Sequence, residues 1–288
     1  MGPLSAFLWS EDEDLSSEYD FMAAKKHEEE VMNEISQHPM DTAVSPVQVA
    51  PHVYYAGNKW VGVFFIDTGD GLILLDTGLA SQYPIIMDGI RSFGFDPKDI
   101  KKVLLSHAHY DHCGSMSKVL EYTKAKSYVS KLDAVYLDDT KALLTYGNEY
   151  SPFDPDYYYE DFEVISQGRI SIKPVVIGAH TPGTTCFFFT DVDDETGKEY
   201  KVAVHGGLGY VFLHTAKDPI AAIDCYRKAQ MAVYDCPVDI ALSFHTYNLQ
   251  ILEKVAEGGW KNLINQDAWK AMLDDRLEKI SDIEKEFI

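Results

Sequence analysis

The sequence predicts an α/β fold, on three observations. Short apolar, β-branched runs alternate with stretches of helical period through the middle of the chain. No linker interrupts that alternation, and 288 residues at 46% hydrophobic are enough for one sizeable core. At three places a histidine stands where an apolar run ends, and strand ends in a sheet share one rim of loops. We therefore read a central domain over 44–257, an acidic helical extension over 1–43 and a C-terminal helix over 258–288.

In chain order, Phe21, Met22, Val31, Met32 and Ile35 among Lys and Glu suggest one or two short amphipathic helices lying on the surface, or in a subunit contact. Residues 47–76 alternate strand-like runs with turn signals at Gly57-Asn58 and Asp70-Gly71. Asp67 and Asp76 adjoin Thr-Gly turns, so local backbone amides are their expected partners, with support of a metal ligand as the lesser reading of Asp76. Leu79 to Phe93 follows a helical period and stops at Gly94. Residues 103–105, 172–177, 185–191, 199–205 and 238–242 read as strands. Asp218-Pro219 is a good start for a helix to about Tyr234, and Asn248 is expected to cap a short helix ended by Gly258-Gly259. Beyond it, Trp269, Leu273, Leu277, Ile280 and Ile283 form one apolar helix face, expected to pack on its own domain, with a homo-oligomer contact as second choice.

The chemistry sits in Ser106-His107-Ala108-His109-Tyr110-Asp111-His112, directly after Val103-Leu104-Leu105. In extended backbone His107 and His109 share a face and can reach one point, while a bend at Asp111-His112 aims a second pair nearby. His180 follows Val175-Val176-Ile177, and His245 follows Ile240-Ala241-Leu242. A catalytic zinc keeps three protein ligands and an open position. His107, His109 and His180 would make one such site, and Asp111, His112 and His245 another. Two zinc ions so placed can share a hydroxide, because coordination brings the pKa of water to about 7. Structural zinc would instead recruit Cys-x-x-Cys, which Cys113, Cys186, Cys225 and Cys236 do not form. Cys113 reads as a small packed residue rather than a seventh ligand.

The run His-x-His-x-Asp-His, the later His180-Thr-Pro-Gly and the final His245 resemble the metallo-β-lactamase superfamily. Val53 to Gly57 and Ile66 to Gly78 are similar to that family's opening strands, so the resemblance covers about 44–250. It implies an αβ/βα sandwich, two mixed β-sheets flanked by helices, with a dinuclear zinc site at one edge. Most hydrolases of the superfamily place a metal-bridging aspartate between the third and last histidines. Here Val202 to Tyr210 contains no carboxylate, which resembles the β-lactamase subclass with His-His-His and Asp-His-His zinc sites. That subclass often carries serines there to hold the drug's carboxylate, whereas this chain has glycines.

The formal net charge of −21 disfavours nucleic acid, whose binding needs Lys and Arg against phosphates. Met1 to Ser10 lacks the pattern of a signal peptide, no apolar run is long enough for a membrane span, and scattered cysteines suit a reducing compartment, so the expected address is cytoplasmic. Substrate contacts are sought in Trp60, in Tyr157 and Tyr158 within a tyrosine- and proline-rich loop or broken helix (146–162) long enough to be a lid, and in Tyr210, a candidate oxyanion donor. Thr184 or Thr185 is expected to orient a ligand, and His205 and His214 to make local hydrogen bonds, with substrate orientation as the minor role of His205. The reading is a zinc hydrolase opening a cyclic amide or ester of small-molecule size, with Asp111, His107 and His109 as its catalytic core. The alternatives are a lactonase or thioesterase of the same superfamily, and an inactive metal-binding member acting as an interaction module. Imidazole and carboxylate ligands also accept iron, manganese or cobalt.

Overall fold

The computed structural model describes residues 41–137 and 151–288. A seven-stranded sheet contains β1 (Val47–Ala50), β2 (Val53–Gly57), β3 (Gly62–Asp67), β4 (Leu72–Leu75), β5 (Ile100–Leu104), β6 (Lys126–Val129) and β7 (Tyr157–Tyr158), in spatial order 1 to 7. β1 to β4 form antiparallel hairpins, whereas β4, β5, β6 and β7 run parallel. A five-stranded sheet follows with β8 (Ile165–Gln167), β9 (Ile170–Val176), β10 (Thr185–Val192), β11 (Glu199–His205) and β12 (Ile240–Ser243), in spatial order 12-11-10-9-8. Both sheets are mixed, and the expected αβ/βα sandwich is what the chain forms.

Alternation along the strands builds the layers. In β3, Phe64 and Ile66 join Tyr55, Ile73, Phe187, Val204 and Leu242 between the sheets, while Val63 and Phe65 turn to the outer face. There they meet Ile86, Met87 and Ile90 of α1 (Tyr83–Ser92) and Met116 and Val119 of α3 (Met116–Thr123). The one-turn helices α2 (Tyr110–Cys113) and α4 (Lys131–Ala134) follow β5 and β6. Against the second sheet lie α5 (Pro219–Val233) and α7 (Ala268–Glu284), with Trp269 edge-on to Phe188 at 5.5 Å, while α6 (Ile251–Gly258) packs on β1 of the first sheet. The apolar face of α7 packs on α5 and β12. Among the described residues, no helix is long and apolar enough to cross a membrane.

Two expectations need correction. Tyr157 and Tyr158 are not in a loop or broken helix, because their backbone pairs with Tyr128 and Val129 as an edge strand. The rest of the expected lid falls partly at 146–150, outside the described residues, as do the amphipathic helices expected before residue 41. The short helix α6 is entered from Gln250 in the left-handed region (φ 53°), not capped by Asn248, whose amide instead donates to Ser243 Oγ at 3.1 Å.

The topology gathers the chemistry. Parallel β4, β5 and β6 release Asp76, Ser106–His112 and Ser130–Asp133 at one rim. Because β10 is antiparallel to both neighbours, β9, β11 and β12 share a direction and release His180, Gly206–Tyr210 and His245 together. A hydrogen bond from Thr185 N to Ser106 O, 2.9 Å, joins the sheets there.

Candidate metal centre

His107 and His109 flank the buried Ala108, and their Nε2 and Nδ1 atoms stand 3.1 Å apart. The His180 ring closes the group, 4.7 Å from His107 and 4.6 Å from His109 between centroids. One turn on, Asp111 Oδ2 lies 3.2 Å from His112 Nε2 and 3.4 Å from His245 Nε2. In each triad, one donor atom from every residue falls within 4.8 Å of the others, and the His107 and His112 rings are 4.0 Å apart. The six residues expected from the sequence thus converge as two adjoining sets of three.

The surroundings orient the rings. His112 Nδ1 donates to Asp76 Oδ2 at 2.6 Å, His180 Nδ1 to Gly209 O at 2.9 Å, and His245 Nδ1 to Trp60 O at 3.1 Å, while His107 Nδ1 is 3.0 Å from Ser106 Oγ. A ring that gives one N–H to such an acceptor presents the lone pair of its other nitrogen, the arrangement metal-ligating histidines need. Glycine keeps the His180 ring in place. A Cβ on Gly207 would come 2.4 Å from its Cδ2, and one on Gly209 2.5 Å from its Cε1.

The residues fit a metal ion. His112 Nε2 is buried and makes no hydrogen bond, although Asp111 Oδ2 is at ion-pair distance. Buried polar atoms are rarely left so, and a cation between the two would use both lone pairs. Burial, reinforced by the neighbouring imidazoles, holds His107 and His180 well below the usual histidine range; burial takes His109 to about 4. These three rings are neutral at pH 7, the state a metal-ligating imidazole needs. Burial also opposes charge on His112, but Asp111 and Asp76 outweigh it and raise the ring to about 10. Burial alone would raise Asp111, yet His112 and His245 hold it well below the usual carboxylate range. That pocket attracts positive charge, and a metal ion would compete there with the proton.

The family model of the metallo-beta-lactamase superfamily matches residues 61–194, a stretch that carries His107, His109, Asp111, His112 and His180. Over that stretch the chain is similar to this superfamily. Among solved structures, the metallo-beta-lactamase GOB-18 from Elizabethkingia meningoseptica is similar at 28% identity and a TM-score of 0.73, covering 85% of this chain and 94% of its own. The subclass B3 metallo-beta-lactamase BJP-1 of Bradyrhizobium japonicum shares the fold at 22% identity and a TM-score of 0.75, covering 85% and 96%. A curated relative, the probable metallo-hydrolase YqgX of Bacillus subtilis, is 24% identical over 149 residues, 51% of this chain and 67% of its own. Another curated relative, from Aquifex aeolicus, is matched over about half of its length, 53%.

The remaining candidate residues find their places in the fold. Trp60 stands at the site, its ring 4.9 Å from His245. Tyr210 follows Gly209 and has the Arg276 guanidinium 5.5 Å from its ring. Tyr157 packs on Tyr128 at 4.9 Å and Phe162 at 5.6 Å, and the Lys131 ammonium lies over Tyr158; β7 is two strands, about 10 Å, from β5. Asp67 does serve a local amide, Gly69 N, at 2.9 Å. Asp76 does not: its carboxylate accepts from Ser106 N, Ser106 Oγ and His112, so it holds the His112 ring, a candidate ligand. Thr184 and Thr185 bond Thr181 N and Gly183 O inside the turn, so they fix the turn rather than a ligand ring. His205 is buried between Gln230 and Gly207 N, which removes it from substrate, and His214 pairs with Glu286.

Sequence reasoning missed Asp133. Its carboxylate is buried, and it accepts from Ala108 N and Thr181 Oγ1 at 2.8 Å and from Gly183 N at 2.6 Å. Burial pushes that carboxyl up to about 6 against those three bonds.

Proposed function

We propose that this metallo-beta-lactamase-like hydrolase opens a cyclic amide or ester of small-molecule size, a β-lactam or lactone, with two zinc ions. The observation that carries the reading is the pair of adjoining triads, in which His107, His112, His180 and His245 each have a backing contact at the ring nitrogen Nδ1. His107, His109 and His180 would hold one zinc, and Asp111, His112 and His245 the other. When bound, zinc supplies Lewis acidity that polarises a carbonyl and brings the pKa of water to about 7.

The chain's own residues do the rest. Asp111 turns a carboxylate oxygen toward His112 and His245, where it also accepts a hydrogen bond from the attacking water and so aims its lone pair. Trp60 walls the Asp-His-His side, and Tyr210, next to the Gly209 that backs His180, would offer a phenol proton to developing negative charge. The stretch from Gly206 to Tyr210 brings no carboxylate, and four unpaired cysteines suit a cytoplasmic address.

The test is a panel of β-lactams, lactones and thioesters, assayed before and after chelation. Turnover should disappear with the metal and return with zinc, and Asp111→Asn should lower kcat by at least tenfold. Full rate after thorough metal removal would end the proposal. Thioester turnover alone would move the substrate assignment to the thioesterase reading. No turnover by a zinc-loaded protein would favour a binding role.

A further inference from the structure

One carboxylate outside both triads touches the loops of a single triad. Asp133 sits on α4, the single turn after β6, started by Ser130 Oγ accepting from Leu132 N. From there its side chain crosses to two other segments. Oδ2 accepts from Ala108 N, the peptide between His107 and His109, and from the Thr181 hydroxyl, next to His180. Oδ1 accepts from Gly183 N, three residues beyond His180. The fit has no slack: a Cβ on Gly183 would lie 2.6 Å from Asp133 Cγ. Thr181 N is occupied by Thr184 Oγ1, so the His180 turn is closed on itself. By contrast, the recorded supports of the second triad are Asp76 behind His112 and Trp60 O behind His245.

We propose that Asp133 is a positioning residue for the His-His-His site alone, tying the His107–His109 loop to the His180 loop so that three neutral rings meet at one metal. The inference rests on the two-site reading above. The geometry supports selectivity in a simple way. Two of the three rings come from β5 and one from the β9–β10 turn, so the site exists only while those segments keep their separation. Asp133 is a single rigid group bonded to both. A carboxylate suits this work because it is acceptor-only and takes several N–H and O–H donors at once. An amide in its place turns an NH2 group toward a donor.

Two backgrounds separate the sites. His245→Ala leaves the His-His-His set complete, and His180→Ala leaves the Asp-His-His set nearly intact. Zinc affinity is measured on full-length protein by competition with a chromophoric chelator, with thermal melting to confirm folding. In the His245→Ala background, Asp133→Ala should weaken zinc by about 10- to 100-fold, the usual effect of removing a partner that orients ligands. Asp133→Asn, which keeps one acceptor oxygen, should fall between. Gly183→Ala, which pushes the carboxylate from the other side, should give the same selective loss. In the His180→Ala background, Asp133→Ala should leave zinc affinity within about twofold. Equal losses in both backgrounds, or none in the first, would overturn the proposal. If wild-type protein and both backgrounds bind no zinc, the two-site reading fails first and takes this one with it.

Discussion

Replacing Asp76 by Asn tests whether a ligand's orientation is set from behind. Asp76 is fully buried, at φ 61°, a left-handed conformation that Asn tolerates well. The exchange therefore leaves the backbone unstrained and changes only the acceptor set. Oδ1 accepts from Ser106 N, and Oδ2 from Ser106 Oγ and His112 Nδ1, each at 2.6 Å. An amide has one oxygen, so whichever way it is turned, at least one buried N–H faces an NH2 group. Leaving a buried donor without a partner costs about 1–3 kcal/mol, which is the expected loss in urea unfolding of the metal-free protein. Asp76→Ala abandons all three donors and should cost about 3–5 kcal/mol, the range for breaking a buried charge pair. Zinc affinity of the Asp-His-His site, measured with His180→Ala present, should drop about 10- to 100-fold, because the His112 ring is no longer held with Nε2 toward the metal. An Asn variant with unchanged unfolding and unchanged zinc affinity would show that the carboxylate is dispensable and that the His112 ring is oriented by packing alone.

Other outcomes follow from the same contacts. Burial takes His205 down to about 4, below the ordinary 6.5 expected when unfolded, so the unfolded chain binds the proton more readily. Its contribution to stability is whole above about pH 6.5 and is lost as pH falls from there toward 4, roughly 3 kcal/mol in all. His205→Gln should be less stable at pH 7 yet lose less on acidification; parallel unfolding curves from pH 7 to 4 would contradict this. Saturating zinc should raise the melting temperature, since ligand at a hundred times Kd adds about 2.7 kcal/mol, and the joint His180→Ala and His245→Ala variant should lose most of that rise. Trp60→Ala should raise KM several-fold because the ring adjoins His245, whereas Tyr157→Ala, at the outer edge of the sheet, should lower the melting temperature and leave KM alone. A raised KM in the tyrosine variant with Trp60→Ala silent would reverse the assignment of the substrate wall.

The six candidate ligands were legible because their signal is local. Spacing within one strand end brings His107 and His109 together, and a histidine after an apolar run marks a rim position whatever the sheet order. The supports were not legible for the converse reason. Asp133 reads as an ordinary acid on a helical turn, and its partners Ala108 and Thr181 lie 25 and 48 residues away, across two sheets. Trp60 and Gly209 act through carbonyls, which no side-chain pattern reveals. Asp76 was misassigned because Thr77-Gly78 looks like a turn it would serve, whereas its left-handed backbone aims the carboxylate inward. Prolines hid β7, a two-residue strand defined only by pairing with Tyr128 and Val129.

Three buried aspartates at this rim show why residue type alone could not assign them. Asp111, Asp76 and Asp133 are all at most 5% exposed. Asp111 brings Oδ2 within 3.2 Å of His112 Nε2 and 3.4 Å of His245 Nε2, which makes it a candidate ligand. Asp76 meets the opposite nitrogen of one of those rings and can only steer it. Asp133 accepts from two backbone N–H groups and a hydroxyl and steers loops instead. Burying an anion is costly unless it is paired or fully hydrogen-bonded. Asp133 meets that condition with three donors, and its carboxyl still rises to about 6. Asp76 also meets it with three donors, whereas Asp111 lies against the His112 and His245 rings, and the orphaned His112 Nε2 beside it fits a dication held between that carboxylate and the two rings. The charge balance of the rim thus argues for metal independently of the spacing that first suggested it.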